Sequence, residues 1–394
     1  MLASLLIIIA LGIIFKRTTE KIGLPHIIGL ILLGWIIGPY ALDLLIVEIN
    51  NLSAEIRVLA LIIILVRAGI GLNIETLKRV GKTASFLSFI PCVLEGATVT
   101  LLAMLLFDLE FAIAGVLGFV LAAVSPAIIV PSMLKLKKEG WGMDKGVPVL
   151  VLAAASVDDV VAITLLTSFL SMAAQGGGFE FINLALIPYE IIAGVLIGVV
   201  FAFVLIWLLE KFSVKGNDYI GFIFAASIAI YLLGQFLDVA GLLGVMSFGF
   251  LLQSKTTQEN NDKIKKSFAS LWYVGEIFLF ILIGAQVDIG IIADASVLGL
   301  IIIVSGVVAR GVGVMISTIG SGLNFKERLF ISLAFVPKAT VQAAVGGMAL
   351  SMGLDFGEEI LAIAVLAIVV TAPLGAWLIN FFAPKFLIKQ KSLD

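Results

Sequence analysis

Thirteen apolar stretches follow one another along this chain, near positions 2–15, 24–41, 56–73, 84–106, 111–133, 147–173, 184–208, 219–236, 240–252, 271–287, 295–318, 328–350 and 360–383. A helix that crosses a bilayer needs roughly 17–25 mostly apolar residues. In lipid, only helices and closed barrels satisfy their own backbone hydrogen bonds. The pattern therefore predicts an all-α polytopic membrane protein with 13 transmembrane helices. Only 13% of the residues are charged, about half the share usual in soluble domains. No connecting segment is long enough to hold a soluble domain.

The charges test the count. Assigning the connections alternately to two sides puts 21 of the 25 Lys and Arg residues on one side. The other side carries Asp43, Glu48, Asp108, Glu110, Glu180, Asp238, Asp288, Asp355, Glu358 and Glu359. Because cytoplasmic loops are rich in Lys and Arg, the N-terminus is expected outside and the C-terminus in the cytoplasm. The first apolar stretch has Lys16 and Arg17 after it rather than before it, the reverse of a cleavable signal peptide. Four basic residues fall elsewhere: Arg57, Arg67, Arg310 and Lys338. Arg57 is read as interfacial, at the outer mouth of span 3.

Thirteen spans divide as six, one and six, so the middle span would invert the second half relative to the first, a plan common among secondary transporters. Leu65–Ile74 resembles Ile281–Ile289, and Gly29–Gly34 loosely echoes Gly241–Gly244. Two spans at matched places are interrupted. Span 5 carries Ser125-Pro126 and Pro131, and span 12 carries Pro337-Lys338-Ala339-Thr340. Proline removes a helical hydrogen bond, and matched broken helices point to a transporter's midplane site.

Span 6 contains Asp158 and Asp159 side by side in an otherwise apolar run. A charge at the bilayer centre costs roughly 2.5–3.5 kcal/mol on insertion scales, so two in succession mark a site for a cation or a proton. Successive helical positions lie about 100° apart, so one carboxylate can face an ion while the other meets a neighbouring helix. Span 4 holds Glu95 and span 11 holds Arg310. A buried Arg stays charged and needs a carboxylate; Glu95 and Asp158 are both candidates. Lys338 at the break suits the negative ends of half-helices. Glu276, Arg67 and Glu190 lie near span ends, where structural pairing is as good a reading as function. His26, the single histidine, reads as an interfacial residue at the edge of span 2. The single cysteine, Cys92, excludes an internal disulfide and a Cys-based metal cluster. The absence of a Walker motif argues against ATP-driven transport by this chain alone.

The runs Val124–Met133, Ser156–Thr164 and Val336–Ala344 together resemble the monovalent cation:proton antiporter superfamily, in its sodium/hydrogen exchanger-like (NHA-type) branch. Pro91–Glu95 and Leu65–Gly69 fit the same branch. The resemblance implies secondary active exchange of Na⁺ or Li⁺ for H⁺ by an elevator movement. It implies a homodimer in the lipid bilayer, with no cofactor, no enzymatic activity and no nucleic-acid partner. It divides the chain into dimerisation helices 1–3 (residues 1–83), core helices 4–6 (84–175), linker helix 7 (176–216), dimerisation helices 8–10 (217–290) and core helices 11–13 (291–394). It makes Asp159 the main ion-binding carboxylate and Asp158 its companion. Where electrogenic relatives carry a lysine in span 11, this chain has Arg310, as the NHA-type branch does. The expected location is the plasma membrane, as a multi-pass protein of a prokaryotic inner membrane.

The chemistry expected is competition. Asp159, with Asp158, binds Na⁺ together with oxygens near Ser125 and Ser156, or takes up a proton instead. Either neutralised form crosses lipid more cheaply than a bare carboxylate, so the empty charged carrier does not switch. K⁺/H⁺ exchange by the same fold is the nearest alternative, and a cation channel or sensor is a second. An intramembrane aspartyl protease needs carboxylates from two helices, whereas these are neighbours on one.

Overall fold

The computed structural model describes residues 2–22, 25–45, 53–71, 74–174, 181–212, 214, 217–237, 239–286 and 288–390. These residues are helical almost throughout. In chain order the helices are α1 (Leu2–Ile22), α2 (His26–Ile37), α3 (Ser53–Gly71), α4 (Ile74–Phe107), α5 (Phe111–Ala122), α6 (Pro126–Glu139), α7 (Val147–Ala174), α8 (Phe181–Lys211), α9 (Asn217–Phe236), α10 (Gly241–Lys255), α11 (Gln258–Ala285), α12 (Ile289–Ser317), α13 (Phe325–Ala334), α14 (Thr340–Val345), α15 (Met348–Ser351) and α16 (Gly357–Phe386). Among the described residues, eight helices are long and apolar enough to cross a membrane, and α2 and α5 are shorter apolar helices.

Both expected interruptions are present. Between α5 and α6 the backbone is extended at Ala123 and Ser125. Pro126 then opens α6 at its first position, where the missing N–H is not needed. Pro131 lies inside α6 and does not break it. The second break runs from Phe335 to Ala339, between α13 and α14. α6 stops at Gly140, which adopts φ +81° and closes on the carbonyls of Leu136 and Lys137. α13 starts with a reciprocal cap between Asn324 and Glu327, the pairing that satisfies two otherwise orphaned N–H groups.

The helices fall into two groups by their neighbours. α2 and α3 pack on α11, α3 on α10, and α10 on α8 and α9. In the other group α4 packs on α12, α5 and α7, while α16 packs on α12, α13 and α6. The chain passes from the first group to the second within α4, which bends at Gly81 (φ +59°), a conformation that glycine adopts without steric cost. α14 touches both groups, meeting α5 and α16 on one side and α3 and α11 on the other.

A step of 215 residues relates three pairs of helix starts in the two halves. α1 and α9 start that far apart (217 − 2), as do α2 and α10 (241 − 26) and α4 and α12 (289 − 74). The packing repeats with the same step. A methyl on Gly34 would strike the carbonyl of Ile281, and a methyl on Gly249 would crowd the carbonyl of Val66, the repeat mate of Ile281. A methyl on Gly284 would strike the carbonyl of Ile31, and one on Gly69 that of Met246, the repeat mate of Ile31. Gly34 therefore corresponds to Gly249 and not to Gly244, which corrects the register suggested by the Gly-Leu-Leu-Gly run. Small residues recur so often in these apolar helices that sequence alone does not select the register.

Candidate ion-exchange site

The two breaks meet each other. The backbone N–H of Ser125 donates to the carbonyl of Pro337 at 2.9 Å. Helix α5 ends here, and the last carbonyls of a helix have no partner within it. Four consecutive carbonyls, from Val120 to Ala123, are taken up by side chains from the second half of the chain. Gln342 Nε2 donates to Val120 at 3.1 Å and to Ala123 at 2.7 Å. Lys338 Nζ donates to Leu121 at 2.6 Å, and Arg310 Nη2 donates to Ala122. Two cations thus sit at the negative end of α5, where the helix dipole favours them.

The same cations organise the acids. Arg310 Nε pairs with Glu95 Oε2, and Arg310 Nη1 with Asp158 Oδ1 at 2.8 Å. The structure thus joins Arg310 to both candidate carboxylates. Lys338 Nζ reaches Glu95 Oε1 at 2.6 Å. The second oxygen of Asp158 accepts from the backbone N–H of Val124 at 3.2 Å. All four side chains are buried. Lys338, Glu95, Arg310 and Asp158 form one chain of alternating charge whose sum is zero. Desolvating an ion costs several kcal/mol, and a buried charge is tolerated when it is both paired and hydrogen-bonded; every member of this chain is.

Asp159 stands outside it. The residue is buried, yet its Oδ1 accepts no hydrogen bond among the described residues. Its neighbour on α7 has turned toward Arg310, and the helical rotation aims Asp159 elsewhere. The hydroxyl of Ser125 is also buried and unpartnered. The side chain of Ser156 lies outside the described residues, as does that of Glu190.

Residues that the sequence did not single out complete the crossing. The backbone N–H of Lys338 donates to Thr371 Oγ1 at 3.0 Å, so α16 holds the second break as Asp158 on α7 holds the first. Gln342 and Thr340 are fully buried polar side chains on the short helix α14. A lone amide in an otherwise apolar turn was the available signal for Gln342. The 215-residue step makes Glu95 the mate of Arg310 (310 − 95) and Ser125 the mate of Thr340 (340 − 125).

Among the peripheral charges, Arg57 differs from expectation. Arg57 is buried rather than interfacial, because Gln286 at the end of α11 accepts from it at 2.5 Å and its guanidinium lies against Gly347. His26 is tied to Glu276 through Nε2 at 2.7 Å, and Glu276 also pairs with Lys16 at 2.6 Å. Arg67 lies over the ring of Trp272 at 5.9 Å.

The family model for the sodium/hydrogen exchanger, transmembrane, matches residues 5–383. The chain belongs to the sodium/hydrogen exchanger family. This exchanger is 36% identical to human sodium/hydrogen exchanger 9B2 over 390 residues, covering 93% of the chain and 70% of the relative. Human sodium/hydrogen exchanger 9B1 is 31% identical over 382 residues, with 93% and 73% covered. The fold matches the sodium proton antiporter MjNhaP1 from Methanocaldococcus jannaschii at pH 8, with a TM-score of 0.81, 20% identity and 96% of each chain covered. The exchanger is a multi-pass membrane transporter and not an enzyme.

Proposed function

We propose that the chain exchanges Na⁺ or Li⁺ for H⁺, and that Asp159 is the group for which the two compete. The supporting observation is the contrast between the two aspartates. Asp158 is consumed by a charge chain that is already neutral, whereas Asp159 Oδ1 has no donor. A buried carboxylate left this way is relieved by one positive charge, either a proton or a monovalent cation. Oxygen atoms suit a hard cation, and Ser125 supplies one beside the breaks; Ser156 is a further ligand on the same helix as Asp159. Arg310 does not release its proton, so it serves as a fixed counter-charge with Glu95 and Lys338. The names of the relatives, sodium/hydrogen exchanger and sodium proton antiporter, agree with Na⁺ as the cation.

In this reading thirteen spans run from an external N-terminus to a cytoplasmic C-terminus in the plasma membrane of a prokaryotic cell. Two inverted six-helix repeats flank α8. The group built on α4–α7 and α12–α16 is the core that moves as an elevator. The group built on α1–α3 and α9–α11 carries the homodimer contact, and α8 links the two. Asp159→Asn tests the central claim. Reconstituted in liposomes with an internal pH dye, the variant is expected to lose Na⁺-driven proton flux while keeping the elution profile of the parent protein. Undiminished flux would remove Asp159 from the mechanism. A panel of Na⁺, Li⁺ and K⁺ in the same assay identifies the cation.

A further inference from the structure

The crossing holds more unpartnered oxygen than Asp159 and Ser125 contribute. Thr340 Oγ1 and Gln342 Oε1 are also buried without a hydrogen-bond partner among the described residues, and their residues are 1% and 0% exposed. A buried polar atom left unsatisfied costs roughly 1–3 kcal/mol, and such exceptions call for an explanation in terms of function or a bound ion.

The amide of Gln342 has only one orientation available. Its nitrogen faces two carbonyl oxygens, those of Val120 and Ala123. A flip would set Oε1 against both, acceptor against acceptor. Both N–H groups are therefore committed to α5, and Oε1 is left as a bare acceptor. By the 215-residue step Thr340, the first residue of α14, is the mate of Ser125, the residue that precedes α6. The repeat mate of Gln342, by contrast, is Ala127 (342 − 215), so the amide belongs to the second break alone. Helix α14 also touches both helix groups.

We infer that Gln342 is a specificity-determining residue of the exchange site, offering Oε1, with Thr340 Oγ1, as neutral oxygen ligands to the dehydrated monovalent cation. This rests on the reading of Asp159 as the exchanging carboxylate. A cation can take several oxygen ligands at once, whereas a proton on Asp159 can satisfy only one. The neutral ligands therefore favour the cation-loaded form and scale with ion size, while leaving proton binding nearly untouched. The two N–H bonds of the same side chain hold the amide in place.

Gln342→Met keeps the length and removes both functions, and Gln342→Glu keeps acceptor oxygens while removing the donors. In proteoliposomes at fixed pH, Gln342→Met is expected to raise the Na⁺ concentration for half-maximal exchange about tenfold. It should change the ratio of half-maximal Na⁺ to Li⁺ by at least threefold and keep the maximal rate within about threefold. Thr340→Val should move the same two quantities in the same direction. Unchanged half-maximal concentrations and an unchanged Na⁺/Li⁺ ratio, with only a lower maximal rate or melting temperature, would reduce Gln342 to a strut and overturn the inference. If Gln342→Met does not elute as a folded protein, the ratio is read from Gln342→Asn and Thr340→Val, where a shifted ratio supports the inference and an unchanged one overturns it. Asp159→Asn run alongside separates the cases. Flux lost in that variant but an unaltered ratio in the Gln342 variants rejects this inference alone, whereas flux retained in Asp159→Asn rejects the site.

Discussion

Glu95 holds two cations, one on each oxygen. Removing its charge leaves Lys338 and Arg310 with only Asp158 to balance them, and breaking a buried pair in this way costs about 3–5 kcal/mol. Glu95→Gln is therefore expected to destabilise the purified protein by that order in denaturant or thermal unfolding. Adding Lys338→Met restores neutrality and should recover more than half of the loss, although Leu121 then loses its donor. Residues that share a network couple by about 0.5–3 kcal/mol, so a double variant whose loss equals the sum of the two singles would show that charge balance is not what holds Glu95. Arg310 cannot be exchanged for Lys on similarity of charge. Its fork serves Glu95, Asp158 and Ala122 in three directions, and an ammonium does not reproduce that geometry.

At the scale of helices, the breaks and the close contacts have different origins. Both breaks carry a local signal, at Ser125-Pro126 and at Pro337-Lys338, because the residue before a proline is biased out of the helical region, although Pro131 inside α6 shows that proline alone does not force a break. The close contacts are not local. Gly34 and Gly284 let α2 and α11 approach until backbone meets backbone, and Gly69 and Gly249 do the same for α3 and α10. Gly34→Ala sets a methyl against a carbonyl of a neighbouring helix, and overpacking of this kind costs typically about 1–3 kcal/mol. Thermal unfolding of the solubilised protein should report that loss, and a similar one for Gly284→Ala. Gly71→Ala, with open space around the added methyl, should leave the midpoint unchanged. Equal effects at Gly34 and Gly71 would point to glycine's backbone freedom instead of the contact.

At the scale of the whole molecule, the balance of charge decides what moves. Lys338, Glu95, Arg310 and Asp158 sum to zero, so within the crossing the proposed mechanism leaves one unbalanced group, Asp159. If Asp159 alone exchanges Na⁺ for H⁺, as proposed, both loaded forms carry the same charge and one cation is traded for one proton without net current. A solid-supported membrane experiment with a Na⁺ step and equal pH on both sides is expected to show no steady transported charge while a pH dye still reports flux. A sustained current would mean that a second group, Lys338 or Asp158, gains and loses a proton during each cycle.

Much of this was legible in the chain itself, for physical reasons. Lipid forbids unsatisfied backbone, so apolar stretches of span length had to be helices, and a carboxylate pair within one had to be accounted for. The aspartates, the prolines, Glu95, Arg310 and Lys338 stood out because each is costly where it lies. Thr340 and Gln342 entered only as members of the run around the second break and Thr371 not at all, since a neutral polar side chain is cheap enough to occur anywhere. Arg57 was misplaced at the interface because no local signal distinguishes an arginine that snorkels from one that a glutamine buries. The sequence alone determined the all-helical class, the two interruptions and the presence of buried charge. Only the tertiary structure decided that Arg310 divides itself between Glu95 and Asp158. That division, which leaves Asp159 Oδ1 without a donor among the described residues, depends on side chains from three helices and the second break meeting at one crossing, a property that no single stretch of chain contains.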